Sequence, residues 1–152
     1  MPKLTDTNRY MRAALEEAEI AQNLGEVPIG AVIVRDNEII ARAGNRTRID
    51  KDATAHAETL AIRLACQNLS QDRLEDCDLY VTLEPCTMCA GAISHARIRR
   101  LYFAATDIKG GAVTSGVRFF SSPTCHHRPE VYDGISESQA SGLLKTFFEI
   151  KR

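Results

Sequence analysis

At 152 residues, 44% hydrophobic and 26% charged, the chain fits a single soluble domain over residues 1–152 with room for a proper core. A formal charge of -1 excludes a bulk polycation, so a nucleic-acid partner would have to be met by local patches: Arg42, Arg46, Arg48 and Lys51, or Arg97, Arg99 and Arg100. Five cysteines are too few for a disulfide scaffold, and no apolar run reaches membrane length.

Met1-Pro2-Lys3-Leu4-Thr5-Asp6 has no signal-peptide core, so reduced thiols in the cytoplasm are expected. Thr5 to Asn8 offer N-cap types, and Met11, Ala14, Leu15, Ala18 and Ala21 follow at helical spacing until Gly25. Ile29-Gly30-Ala31-Val32-Ile33-Val34 is a short apolar run that reads as a buried strand. Asp36-Asn37 is a two-residue turn, after which Ile39, Ala41 and Ala43 alternate and predict the second strand of a hairpin. Gly44 to Thr54 is polar and irregular. Ala57, Leu60, Ala61, Leu64 and Ala65 then share one face of a helix.

Asp78 to Leu83 predicts a strand, which Glu84-Pro85 stops because proline lacks a ladder N–H. Proline suits the first turn of a helix, so Cys86-Thr87-Met88-Cys89 is placed at a helix mouth. Arg100-Leu101-Tyr102-Phe103-Ala104-Ala105 gives another strand, parallel to the last across the helix. Asp107 to Gly111 is loop, and Val113 to Pro129 yields no clear pattern. Glu130-Val131-Tyr132 suggests a short edge strand. Ser136 with Gln139 suggests a capping box before a helix marked by Ala140, Leu143, Leu144, Phe147 and Phe148. The expected architecture is α/β, a mixed sheet with helices on both faces.

Chemistry concentrates at two places. Cys86 and Cys89 lie three apart and share a helix face, where the partial positive charge of the N-terminus favours thiolate. Cys-x-x-Cys alone is compatible with redox work, a structural zinc or chance. Upstream by 30 residues stands His56, in Thr54-Ala55-His56-Ala57-Glu58. Two helix mouths facing one ion would offer His56, Cys86 and Cys89, leaving the fourth tetrahedral position for water, as in a catalytic zinc site. Glu58 would then stand beside that water to move its proton. His95, His126 or His127 as a fourth ligand would close the site and leave Glu58 without a task. Cys66, Cys77 and Cys125 read as inert thiols.

His-Ala-Glu followed by Pro-Cys-x-x-Cys resembles the signature of the zinc-dependent cytidine and deoxycytidylate deaminases. Glu26-Val27-Pro28-Ile29-Gly30-Ala31-Val32, Gly44-Asn45-Arg46, Leu79 through Ile93, Asp107-x-Lys109 and Phe147-Phe148 are similar, more narrowly, to the bacterial tRNA-specific adenosine deaminases. That resemblance implies a cytidine-deaminase-like three-layer fold with about five strands, one Zn²⁺ per chain, and a homodimer. It implies hydrolytic deamination of adenosine to inosine at the wobble position of a tRNA anticodon stem-loop, with Glu58 as proton shuttle. It further implies that Asn45 holds the flipped base and that Asp107, Lys109, Phe148 and Arg152 touch flanking nucleotides. The same chemistry on free guanine, cytosine or cytidine is the nearest alternative, and a non-catalytic zinc module that binds RNA or protein is a more distant one.

Overall fold

The computed structural model describes residues 3–151 and contains five strands and four α-helices. Helix α1 (Leu4–Asn23) begins one residue before the expected Thr5–Asn8 caps, and Thr7 Oγ1 donates to the Lys3 carbonyl instead of capping. Strands β1 (Gly30–Arg35) and β2 (Glu38–Gly44) form the hairpin. Asp36 and Asn37 both take positive φ, 50° and 64°, the left-handed pair a tight hairpin turn needs. Helix α2 (Ala57–Leu69), strand β3 (Asp78–Leu83), helix α3 (Thr87–Ala96) and strand β4 (Arg100–Ala105) follow. Strand β5 (Glu130–Asp133) and helix α4 (Glu137–Lys151) end the order.

The sheet runs β2-β1-β3-β4-β5. β1 is antiparallel to both of its neighbours, whereas β3, β4 and β5 are parallel. Period-two alternation divides the apolar side chains between two layers. Ile33, Leu79, Val81, Leu101 and Phe103 face α2 and α3, packing on Ala57, Ala61, Ala65, Ala90 and Ile93. Val32, Val34, Tyr80, Tyr102 and Ala104 face α1 and α4. Each large side chain sealed this way contributes about 1.5–3 kcal/mol of transfer free energy.

Two expectations change. Alternation groups Ile39 with Ala41 and Ala43, but the register shift between Ile33 and Val34 leaves Ile40 as an extra residue in β2. That bulge turns Ile39 to the α1 layer while Ala41 and Ala43 stay in the α2 layer. Ser136 has φ 59°, not the extended backbone of a capping-box N-cap, and α4 starts just after it.

Close approach of α1 depends on two paired glycines. A Cβ on Gly30 would meet the Ala14 carbonyl oxygen at 2.0 Å, and one on its partner Gly44 would meet that of Glu17 at 2.9 Å. On the same face, the register aligns Tyr80, Tyr102 and Tyr132 across three parallel strands. Their ring centroids are 4.3 Å and 5.0 Å apart, and Tyr10 from α1 continues the row 5.3 Å from Tyr80. No helix among the described residues is long and apolar enough to cross a membrane.

Candidate metal centre and its cleft

The fold brings the N-termini of α2 and α3 together at the end of β3. His56 is the N-cap of α2 and Cys86 the N-cap of α3, both with extended backbone. The α3 helix therefore starts at Thr87, two residues past Pro85, and Cys86 stands at its mouth. The extended turn at His56 brings its ring round to the site, although Glu58 lies only two residues on.

His56 Nδ1 lies 3.7 Å from Cys86 Sγ and 3.5 Å from Cys89 Sγ. A tetrahedral zinc with Zn–N near 2.0 Å and Zn–S near 2.3 Å requires N···S separations of about 3.5 Å. All three donor atoms lie within 4.8 Å of one another, the only such group among the described residues. One imidazole and two thiols suit zinc, and three donors leave a tetrahedral position open. His127 points its Nε2 at the Ile98 carbonyl, 2.6 Å away, and neither it, His95 nor His126 joins the group.

The hydrogen bond from Cys89 brings Cys86 down to about 4, and the same bond pushes Cys89 far up. His56 is raised by its bond to the Cys86 thiolate. Glu58, the second residue of α2, is buried at 4% exposure. Burial pushes its carboxyl up to about 7, with the Cys86 thiolate acting in the same direction. A divalent ion bound by the two sulfurs would draw the Glu58 value back down. Cys77 is pushed up to about 12 by burial and Cys66 is raised by the same cause, so neither is a ready thiolate.

A cleft of about 710 Å³ opens where the ends of β3 and β4, the loop after β4 and α4 meet. Val27, Ile29 and Leu83 line it, as do Asp107, Lys109 and Phe148, so three of the five expected substrate contacts meet in one place. Phe148 is 50% exposed while its neighbour Phe147 is buried at 3%. Asn45 is buried and borders a separate cavity of about 380 Å³ between α1, β2 and α2. Arg152 lies outside the described residues.

Two carboxylates that the sequence pattern does not single out organise the surrounding loops. Glu26, fully buried, accepts from Asn45 Nδ2 at 3.4 Å, from the Arg48 amide and from the Ile49 amide at 2.7 Å. Glu84 does the same for the loop after β4. Burial works to raise its pKa, but backbone donors from Asp107, Val113 and Thr114 and the Ser115 hydroxyl hold it below the usual carboxylate value. The available signal was an acid at the end of an apolar segment, Glu26 before Val-Pro-Ile and Glu84 before Pro-Cys. Such a residue is costly to bury unless every oxygen is satisfied.

The basic patches are less available than the sequence suggests. Arg99 and Arg100 both pair with buried Asp78 at the start of β3, the end of the sheet away from Cys86. Arg42 pairs with Glu16 and Arg46 with Asp50.

Residues 4–105 match the model of the cytidine and deoxycytidylate deaminase zinc-binding region. The chain is 60% identical over 149 residues to a tRNA-specific adenosine deaminase of Agrobacterium fabrum, covering 98% of each. A solved structure from work on A-to-I editing by tRNA:A34 deaminases superposes with TM-score 0.89 at 63% identity, over 90% of this chain and 99% of that one. A guanine deaminase from Bacillus subtilis superposes with TM-score 0.62 at 44% identity, over 64% of this chain and 63% of that one. With donor geometry, buried Glu58 carboxyl and near full-length likeness in agreement, the chain belongs to the cytidine and deoxycytidylate deaminase zinc-binding family, among its tRNA-specific adenosine deaminases.

Proposed function

We propose that this protein deaminates adenosine to inosine at the wobble position of a tRNA anticodon. The observation that carries the reading is the buried Glu58 carboxyl set beside three donors spaced for one zinc. His56, Cys86 and Cys89 would hold a zinc, which would supply a water acidified toward neutrality. Glu58 would carry both protons of the attacking water in turn, one to the adenine ring nitrogen beside C6 and the other to the departing amino group. The bond from C6 to the exocyclic nitrogen breaks, ammonia leaves, and the oxygen of water stays on C6.

An anticodon loop is single-stranded, so its base can leave the stack at modest cost and enter a protein pocket. In this reading Asn45, held by Glu26, hydrogen-bonds the inserted base. Asp107, Lys109 and Phe148 meet the flanking nucleotides along the cleft, with Arg152 as a further cation. Phe148 offers a half-exposed ring on which a base can stack. The reading includes a homodimer, which sedimentation would test; exposed Leu64 on α2 and Met88 on α3 support it as apolar groups a second copy would cover. It also places the enzyme in the cytoplasm, in keeping with five free cysteines.

A free-base deaminase is the second reading, favoured by the likeness to the guanine deaminase. Incubating the zinc-loaded protein with an adenosine-bearing anticodon stem-loop, beside guanine, cytosine, adenosine and cytidine, separates the two by the ammonia released. Turnover of the stem-loop alone supports the tRNA reading. Brisk turnover of a free base without the stem-loop reverses it.

A further inference from the structure

Glu84 is the residue whose environment the chemistry above does not explain. It follows β3 directly and precedes Cys86 by two positions, yet its side chain is bonded to the loop after β4 and is only 2% exposed. Oε1 accepts from the Asp107 amide at 3.0 Å and the Ser115 hydroxyl at 3.1 Å. Oε2 accepts from the amides of Val113, Thr114 and Ser115 at 3.0, 2.9 and 3.0 Å. Backbone bonds from Ala112 to Pro85 and from Glu84 to Ala105 close the same unit.

The loop from Asp107 to Ser115 is thus wrapped around one side chain. A packed strand end needs only an apolar residue, and burying an acid there is costly unless its oxygens are fully occupied. The backbone itself is fitted to the acid. A Cβ on Gly111 would stand 2.4 Å from Glu84 Cδ and 2.5 Å from the Asp107 carbonyl oxygen. The same loop carries Asp107 and Lys109 to the cleft wall, while β3 delivers Cys86 to the metal.

We infer that Glu84 is a positioning residue that fixes the substrate-contacting loop at a set distance from the metal centre. The inference rests on the tRNA reading for its substrate but not for its geometry. Glu84→Gln isolates the effect: an amide can keep one oxygen for the three donors at Oε2, but its NH₂ then faces the Asp107 N–H. Gly111→Ala disturbs the same contact with the carboxylate intact, and Ser115→Ala removes only the hydroxyl donor.

The expected result for Glu84→Gln is faster hydrogen exchange at amides 107–115, with β3 and α3 unchanged and one zinc per chain retained. KM for the adenosine stem-loop should rise about tenfold while kcat stays within a fewfold, the signature of weakened positioning through one charge-assisted bond. Gly111→Ala should reproduce that split, and Ser115→Ala should show it more weakly. Should Glu84→Gln not fold, the other two variants carry the test. Unchanged KM in Gly111→Ala and Glu84→Gln, or a loss wholly in kcat, would overturn the role. If the wild type ignores the stem-loop altogether, the substrate reading fails separately. Exchange at amides 107–115 in the variants then decides the clasp, faster supporting it and unchanged overturning it.

Discussion

At the metal centre, all three donors sit on the first residues of two helices that are packed against the sheet. Asn45 at its own cavity and Asp107 and Lys109 at the cleft sit on loops instead, and each loop is tied to the core through a buried carboxylate. The centre gains its geometry from helix packing, in which many small apolar contacts share the load. The rim gains its geometry from a few hydrogen bonds converging on Glu26 and on Glu84. A centre built in the first way tolerates little change in its donors but much in its surroundings. A rim built in the second way can fail at one atom while the centre remains whole.

Removing a donor should have the largest effect. Cys86→Ala or His56→Ala should lose zinc and all measurable deamination, read by elemental analysis beside an inosine assay. Full zinc retention in either variant would break the assignment of that donor. Glu58→Ala comes next: it should keep zinc and fold, yet slow turnover by roughly 10²-fold to 10⁴-fold. Wild-type rates in Glu58→Gln would sink the proton-shuttle role.

Rim changes should leave the metal untouched. Glu26→Ala removes the shared acceptor of the Asn45 side chain and the Arg48 and Ile49 amides, so it should destabilise the fold by about 1–3 kcal/mol in denaturant unfolding. If stability falls by that amount while zinc content holds, the contrast between centre and rim is sharpened. Lys109→Ala combined with Arg152→Ala should have the mildest effect. It should weaken stem-loop binding and flatten its salt dependence by about one to two units, one for each phosphate no longer neutralised, in titrations at several salt concentrations. An unaltered slope would remove these cations from the RNA interface.

The same division explains what could be read in the sequence. His56, Glu58, Cys86 and Cys89 were legible because ligand chemistry requires particular residue types at helix-mouth spacing. The strands were legible because Ile33, Tyr80 and Phe103 lie in alternating or continuous apolar runs. The bulge at Ile40 was not, since one inserted residue reverses the face of Ile39 without altering composition. The Val113–Pro129 stretch carries no period because side-chain hydrogen bonds hold it: Glu84 takes the Val113, Thr114 and Ser115 amides, and Ser94 Oγ donates to the His127 carbonyl. Phe120 and Cys125 nonetheless enter the α3-side core, which single positions in an irregular loop cannot announce. The Arg99-Arg100 pair was legible as charge, but its neutralisation by Asp78 depends on strand register.

The row of tyrosines has a practical consequence for optical work. The chain has no tryptophan, and its four tyrosines are Tyr10, Tyr80, Tyr102 and Tyr132, all in that one row. Phenol absorption near 280 nm and its circular dichroism therefore arise from the α1 side of the sheet alone, with rings close enough to couple. Such a signal reports melting of that layer and is silent toward events among His56, Cys86 and Cys89 on the other. Zinc release without change in the near-ultraviolet band would then be recorded as loss of the ion from an intact scaffold, with no introduced label.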